Sequence, residues 1–530
     1  MPLFGRKDRR YHVSYDLHTW SGLVLGLLLH VMFFTGAIAL YHDELGVWEE
    51  PAHHEVAVGT PTEWWTTLAA QSDGATRIGL SLPHHHEGET PVGAPTASIH
   101  RGEARTALVW RDGVWTTKAS HASLFLFRLH FLYHPSAEWL VTVAGFVSLF
   151  MGLALLTGLV IHVRDLWRDL DRFRPEKPVR SVWVDLHKIT AVLGLPFQAL
   201  FAYTGAVLCL ANVVIGIVAL PLYAGDVDRI QAVLFDNPPP MEVEATPQPM
   251  LPLTDLLARA EEVAPGLEPV RITVTKPGLA TAEARIRGER PDGDGRQVSV
   301  LLAAATGELR HVDGLEAPKA HSALIAWLFG LHFAQFGGAL LVALYALLSL
   351  ATSAAILSGT AIWLGKRQKA RYRGARVLGY LTTGLGAGVP LGSAAILLAS
   401  RALPWDLPDR TMWLEVVFLV AVVVAIAWSV LQPDPRRAWA GMVAATGVAC
   451  ALTPLAQAQR TAAGVLGASP QAAVVAVDLG FWFCAVVCGA IAAALWRRTR
   501  VGGVSRGRPA RAPVAASAPA EVPGAAQTGG

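Results

Sequence analysis

The sequence predicts an α-helical integral membrane protein. It should have eight transmembrane helices, a duplicated two-helix core plus four C-terminal helices, with two α+β insertions on one membrane face. Composition is the first observation behind this class. Of 530 residues, 52% are hydrophobic and only 16% are charged, and the mean hydropathy is +0.39. A soluble domain carries about 25% charged residues. Such a deficit over a long chain excludes a soluble enzyme, and the apolar content excludes a disordered chain. The net charge of +3 gives no strongly basic surface, so no nucleic acid is expected as a partner. The second observation is the set of apolar runs, and the third is an internal repeat that carries histidines.

A helix needs about 20 apolar residues to cross a bilayer. Eight such runs stand at 20–41, 140–161, 189–213, 339–364, 377–400, 413–431, 439–455 and 473–496. No small-residue cleavage site precedes the first, and its apolar run is too long for a signal-peptide core. Lys and Arg collect in alternate connections: Arg9-Arg10 before the first span, Arg164 to Arg180 after the second, and Lys366 to Arg376 after the fourth. Arg436-Arg437 and Arg497-Arg498 continue the series. With eight spans these segments share one side, which predicts both termini in the cytoplasm. The four cysteines, Cys209, Cys450, Cys484 and Cys488, all lie in spans and read as small buried apolar residues.

The long connections then fall on the opposite face. The second has an amphipathic helix pattern at 253–265 and alternating strand patterns at 270–274, 281–286 and 297–302, separated by turn signals such as Pro277-Gly278. The first has weaker versions: a helix at 62–72 and strands at 77–82, 96–100, 106–110 and 113–117. The resulting division is N-terminus and first helix at 1–42, first insertion at 43–138, second and third helices at 139–222 and second insertion at 223–334. The fourth helix at 335–365, four further helices at 366–500 and a disordered cytoplasmic Ala/Pro/Gly tail at 501–530 complete it.

The first and third spans repeat each other. Thr35-Gly36 follows His18 by 17 residues, and Thr204-Gly205 follows His187 by the same 17. The second and fourth spans also correspond. Leu129-His130-Phe131 and Leu331-His332-Phe333 precede them, with Gly158 and Gly359 following the histidines by 28 and 27 residues. Both copies start from the same side, so a pseudo-two-fold axis along the membrane normal should relate them. That symmetry sets His18 beside His187 near the inner face and His130 beside His332 near the outer face. Two opposed neutral imidazoles are the axial set of a b-type haem, and two pairs predict two haems. Gly26, Gly36, Gly205 and Gly359 allow close approach of a backbone or a flat ring. His162 competes with His18 on the inner side and His134 with His130 on the outer. His30 lies mid-span, about 18 Å deeper than His18 at about 1.5 Å per residue.

A proton or metal pathway would use the same residue type. It should also place carboxylates inside the membrane, and the interiors of the first four spans have none. No His follows His332, so the last four spans read as a structural or partner-binding appendage. His84, His85 and His86 form a loop cluster able to bind a metal ion, although a solvated loop is the simpler reading. No nucleophile constellation or nucleotide fingerprint is present, and no residue is assigned a catalytic role.

These motifs resemble the PepSY-associated transmembrane family of iron-regulated membrane proteins. The similarity runs over about residues 10–370. It rests on His18 with Thr35-Gly36, Arg128-Leu-His130-Phe-Leu-Tyr-His134, Thr157-Gly158-Leu-Val-Ile-His162, Trp183-Val-Asp185-Leu-His187, Tyr203-Thr204-Gly205 and Gly330-Leu-His332-Phe333. The insertions then look like PepSY modules. The resemblance implies a haem b-containing oxidoreductase of the bacterial inner membrane, an enzyme reducing a periplasmic ferric siderophore or other ferric complex for iron uptake. Its implied partners are that complex, membrane lipid and a separate electron donor, quinol or a cytoplasmic reductase. Two departures stand out. Gln198 occupies a position where many relatives have His, and the four C-terminal spans lie outside the four-span core. The alternative is a PepSY-type membrane binding or regulatory protein, or a metal transporter, without redox activity.

Overall fold

The computed structural model describes residues 9–49, 58–83, 94–102, 104–117, 122–163, 179–226, 230, 246–289, 297–315, 320–367, 373–405, 407–432, 434–458 and 472–504. Among these, eight helices are long and apolar enough to cross a membrane, which makes the chain an integral membrane protein. The first half runs α1 (Arg9–Ala39), α2 (His42–Glu49), α3 (Pro61–Ala69), β1 (Arg77–Ser81), β2 (Thr96–Arg101), β3 (Ala104–Arg111) and β4 (Val114–Thr117). It continues through α4 (Ala122–His130), α5 (Trp139–His162), α6 (Val179–Leu193) and α7 (Leu195–Leu222). The second insertion holds α8 (Leu253–Val263), β5 (Glu268–Thr275), β6 (Glu283–Glu289), β7 (Gln297–Ala303), β8 (Leu309–Asp313) and α9 (Ala320–His332). The remaining spans are α10 (Ala339–Arg367), α11 (Arg373–Ala402), α12 (Arg410–Leu431), α13 (Pro435–Ala458) and α14 (Ala472–Val504).

Helix α1 starts at Arg9 rather than near residue 20, and the second insertion carries a strand, β8, beyond the three expected. Two larger features also differ from the sequence expectation. The third span is not one helix from residue 189: it is broken between α6 and α7 at Gly194-Leu195-Pro196. Pro196 has no N–H to donate and its ring clashes with the preceding turn, so the chain restarts there with Pro196 in the first turn of α7. The apolar helix then runs on to Leu222. The two insertions also do not stand as separate modules. Their strands join into one eight-stranded sheet of order β4-β3-β2-β1-β5-β6-β7-β8. Each insertion supplies a helix and a four-stranded meander, and the seam is the antiparallel pairing of β1 with β5. Two half-modules would each leave an edge strand unpaired, and pairing them removes that edge.

Local sequence accounts for the elements. Thr60 and Glu63 form a reciprocal capping box at the start of α3, with Pro61 in its first turn. Asp112-Gly113 both take positive φ, which gives the two-residue turn joining β3 to β4. One face of the sheet packs under α3 and α8: Leu68, Leu80, Leu256, Ile272, Ile286 and Leu302 are fully buried there.

The membrane core repeats its packing twice. Helix α1 packs against α4, α5 and α10, while α7 packs against α9 and α5 and α6 packs against α10. Each of the short helices α4 and α9 ends on a histidine, and both close in the same way. Leu132 and Ala334, two residues past those histidines, are left-handed with φ of 57° and 55°. Tyr133 N–H returns to the Arg128 carbonyl and Gln335 N–H to the Gly330 carbonyl, each at 2.9 Å, as in a Schellman cap.

The C-terminal helices meet this core at α2 and α4, and α11 also packs against α1 and α10. Glu49, fully buried, accepts the Ala122 and Ser123 N–H groups at 2.7 and 2.8 Å, capping the helix that carries His130. Next to it, Trp48 donates its indole N–H to Asp478 Oδ1 of α14 at 2.8 Å. The Arg401 guanidinium of α11 lies 3.9 Å from the Trp48 ring centre. Phe125 of α4 meets Phe418 of α12 with ring centres 5.1 Å apart.

Candidate functional site

Four of the six histidines singled out in sequence come together as two pairs. His18, in the first third of α1, faces His187 of α6, with ring centres 6.1 Å apart. His130, the last residue of α4, faces His332, the last residue of α9, also at 6.1 Å. The equal spacing has a chemical meaning. Two imidazoles at this separation, each with one ring nitrogen left over, could together hold one metal centre between them.

Hydrogen bonding selects the nitrogen left for a ligand. His18 Nδ1 lies 2.8 Å from the Ala154 carbonyl and His187 Nδ1 2.8 Å from the Ala355 carbonyl. His130 Nδ1 lies 2.6 Å from the Met32 carbonyl. Thr204 already donates its hydroxyl to Leu200 O at 2.8 Å, so its Oγ1 accepts from His332 Nδ1 at 2.8 Å. A carbonyl can only accept, so Nδ1 carries the proton and Nε2 keeps its lone pair. That is the second-shell arrangement of metal-bound histidines.

Glycine makes the approach possible. A Cβ at Gly158 would stand 3.0 Å from His18, at Gly359 3.1 Å from His187, and at Gly36 2.7 Å from His130. Each ring therefore lies on bare helix backbone. Ala154 and Gly158 stand in α5 as Ala355 and Gly359 stand in α10, so the duplication extends to acceptor and pad. Gly26 and Gly205 serve helix contacts instead, against Ile356 and Ser148.

The His130–His332 pair opens on a cavity of about 300 Å³. Its walls include Phe33, Met151, Phe197, Phe201 and Tyr345, an apolar enclosure suited to a flat macrocycle. Through their Nε2 atoms, His130 with His332 and His18 with His187 could each hold a metal-bearing cofactor.

The other two candidate histidines stand apart. His134 is in the turn after α4, where the left-handed Leu132 redirects the chain. Its Nδ1 accepts from Ser136 N–H at 3.2 Å, and its Nε2 is 3.9 Å from Glu415 Oε2. His162 is the last residue of α5. His30 is buried between the two pairs, with Nδ1 2.7 Å from Ser353 Oγ. Gln198 is buried nearby and donates to Thr352 Oγ1 at 3.4 Å. Among the described residues no three His, Cys, Asp or Glu side chains form a metal cage. His84, His85 and His86 lie outside the described residues.

Sequence reasoning did not single out the Met32, Ala154 and Ala355 carbonyls or the Thr204 hydroxyl as partners of the histidines. Carbonyls have no residue signature. The Thr-Gly repeat at matched spacing was the available signal for Thr204.

Residues 15–366 match the PepSY-associated TM region, which spans both histidine pairs and the whole sheet. An uncharacterized protein of Pseudomonas aeruginosa is 29% identical over 320 residues, covering 57% of this chain and 79% of that protein.

Proposed function

Since the chain belongs to the PepSY-associated transmembrane family, we propose that it is a haem b-containing oxidoreductase of the bacterial inner membrane. It passes electrons across the membrane and reduces a ferric siderophore or other ferric complex on the periplasmic side, where the sheet stands. The termini are then cytoplasmic, and quinol or a cytoplasmic reductase is the separate donor. One observation carries this reading: two histidine pairs of equal 6.1 Å spacing, each imidazole held through Nδ1.

A haem at each pair would supply reversible one-electron transfer at an iron held by two imidazoles. The chain's own residues do the positioning. The Nδ1–H bonds fix each ring and raise the basicity of Nε2. Phe33, Phe197 and Phe201 keep water from the sheet-side pair. The broken third span sets His187 on its own helix, α6, where it meets α10 independently of the tilt of α7. Reduction to Fe²⁺ weakens the hold of a hard-oxygen chelator, and the metal is released.

The decisive measurement is a reduced-minus-oxidised spectrum of the purified protein, with haem quantified per chain. The expected result is a b-type α-band and about two haems. His187→Ala and His332→Ala should each remove a different one. A preparation without that band overturns the reading, and loss of both haems from either single change overturns the pairing.

A further inference from the structure

Opposite α3 and α8, the second face of the sheet gathers positive charge around a floor of small side chains. The register places Gly79 between Ser98 and Thr273 at its centre. On one side Arg77 pairs with His100, and His100 with Arg105. On the other, Arg271 pairs with Arg287, and Arg285 stands opposite Thr273. The groups converge rather than splay. A Cβ on Gly79 would come within 3.9 Å of Arg271 Nη2, so Arg271 reaches over the floor from β5.

The arrangement follows the duplication. A two-fold axis through the β1–β5 seam, normal to the sheet, exchanges Arg77 with Arg271 and His100 with Arg287. The same duplication in sequence relates His130 to His332.

Glu283, Glu289 and Asp313 share this face; Glu283 is engaged by Arg310 at 3.8 Å, and Glu283 and Asp313 both act on Arg285. The positive charge nearest Gly79 is that of Arg77, Arg105 and Arg271. Partial burial, then Arg287 and Arg105, hold Arg271 below the usual guanidinium range. Burial and the cations Arg105, Arg77 and Arg271 likewise hold His100 below the usual imidazole range. Crowded like charges over a floor of small residues are relieved by a bound anion, and planar guanidinium forks match carboxylate and catecholate oxygens.

We propose that the Gly79-centred saddle is the docking site for the ferric substrate, and that it selects an anionic oxygen-donor chelate over an uncharged one. This rests on the reductase reading above and adds the substrate class to it.

The test uses the full-length protein in zwitterionic nanodiscs, titrated with two ferric probes. One is a trianionic hexadentate tris-catecholate, the other an uncharged hexadentate tris-hydroxamate. The wild type should bind the anionic probe more tightly, with affinity falling as salt rises. Arg77→Gln/Arg271→Gln, at two exposed positions, should weaken that binding at least about tenfold. It should leave the uncharged probe unchanged. Arg259→Gln, on α8 across the sheet, should change neither. Equal binding of both probes by the wild type, or an unaffected double variant, overturns the proposal. So does a double variant that loses only its association with anionic phosphatidylglycerol, since the saddle then faces lipid. The difference spectrum of the same samples keeps the two readings apart. An intact α-band without anion selectivity sinks this site alone, and a missing band sinks the reductase reading whatever binds.

Discussion

Thr204 shows how much of the sheet-side pair lies outside the two imidazoles. Its hydroxyl donates to Leu200 O and accepts from His332 Nδ1, which fixes the tautomer that keeps the lone pair on Nε2. Thr204→Val keeps the shape and removes the acceptor. Loss of a second-shell partner costs about 10–100-fold in metal affinity, so haem titration should show that loss at the His130–His332 pair and none at His18–His187. Equal loading of both pairs in Thr204→Val would show that the bond does not orient the ring. Gly359→Leu should act on the other pair, because its side chain would occupy the space within 3.1 Å of the His187 ring. The expected readout is a haem-per-chain ratio falling by about half, with the His332-dependent band kept. At this scale the histidines were legible in the sequence, because the repeat sets them at matched spacing. The choice between His130 and His134 was not legible, since residues four apart share one helix face. It is made where α4 ends and Leu132 turns left-handed.

At the scale of elements, most transmembrane runs and the expected strands were legible to within a few residues, because period and turn chemistry are local signals; the start of α1, the end of α14, the third span and the strand β8 were not. The seam between β1 and β5 was hidden, because it pairs segments far apart in sequence and no pattern in either names its partner. The break at Gly194-Leu195-Pro196 was visible as a proline but masked by the apolar run around it. The paired Schellman caps give an element-scale prediction. A left-handed residue other than glycine costs about 1–2 kcal/mol, and Ala334 bears that cost while almost fully buried. Ala334→Gly should raise the thermal midpoint, with a gain of about 1 kcal/mol or less once glycine's greater unfolded-state entropy is subtracted. A lowered midpoint would mean that the Ala334 methyl packs for more than the backbone gains. The symmetric cap at Leu132 should not respond in the same way, since Leu132 also packs against the core cluster of Leu29, Met32 and Phe33.

For the whole molecule, the sequence left the four C-terminal spans without a role, because they contain no histidine. The structure ties them to the site through buried charge. Asp478 accepts from Trp48 at 2.8 Å, Arg401 stacks on the same indole, and the adjacent Glu49 caps the helix that ends at His130. Among the described residues no buried-charge link of this kind reaches the His18–His187 pair, whose rings hang on α5 and α10, although α11 packs its apolar side against α1 and α10. The appendage should therefore set the geometry of one pair and leave the other alone. Asp478→Asn in the full-length chain separates the two. It removes one of the two carboxylates, with Glu49, whose charge faces the buried Arg401 guanidinium, and leaving a buried charge less compensated is destabilising. The strain falls on α2 and, through Glu49, on α4. The expected outcome is a lower thermal midpoint, with a changed redox potential and low-spin signature confined to the haem that His332→Ala removes. The haem removed by His187→Ala should titrate as in the wild type. Equal shifts at both would mean that Asp478 acts on the fold at large. An unchanged sheet-side haem in a destabilised protein would mean that the appendage braces the bundle without positioning His130.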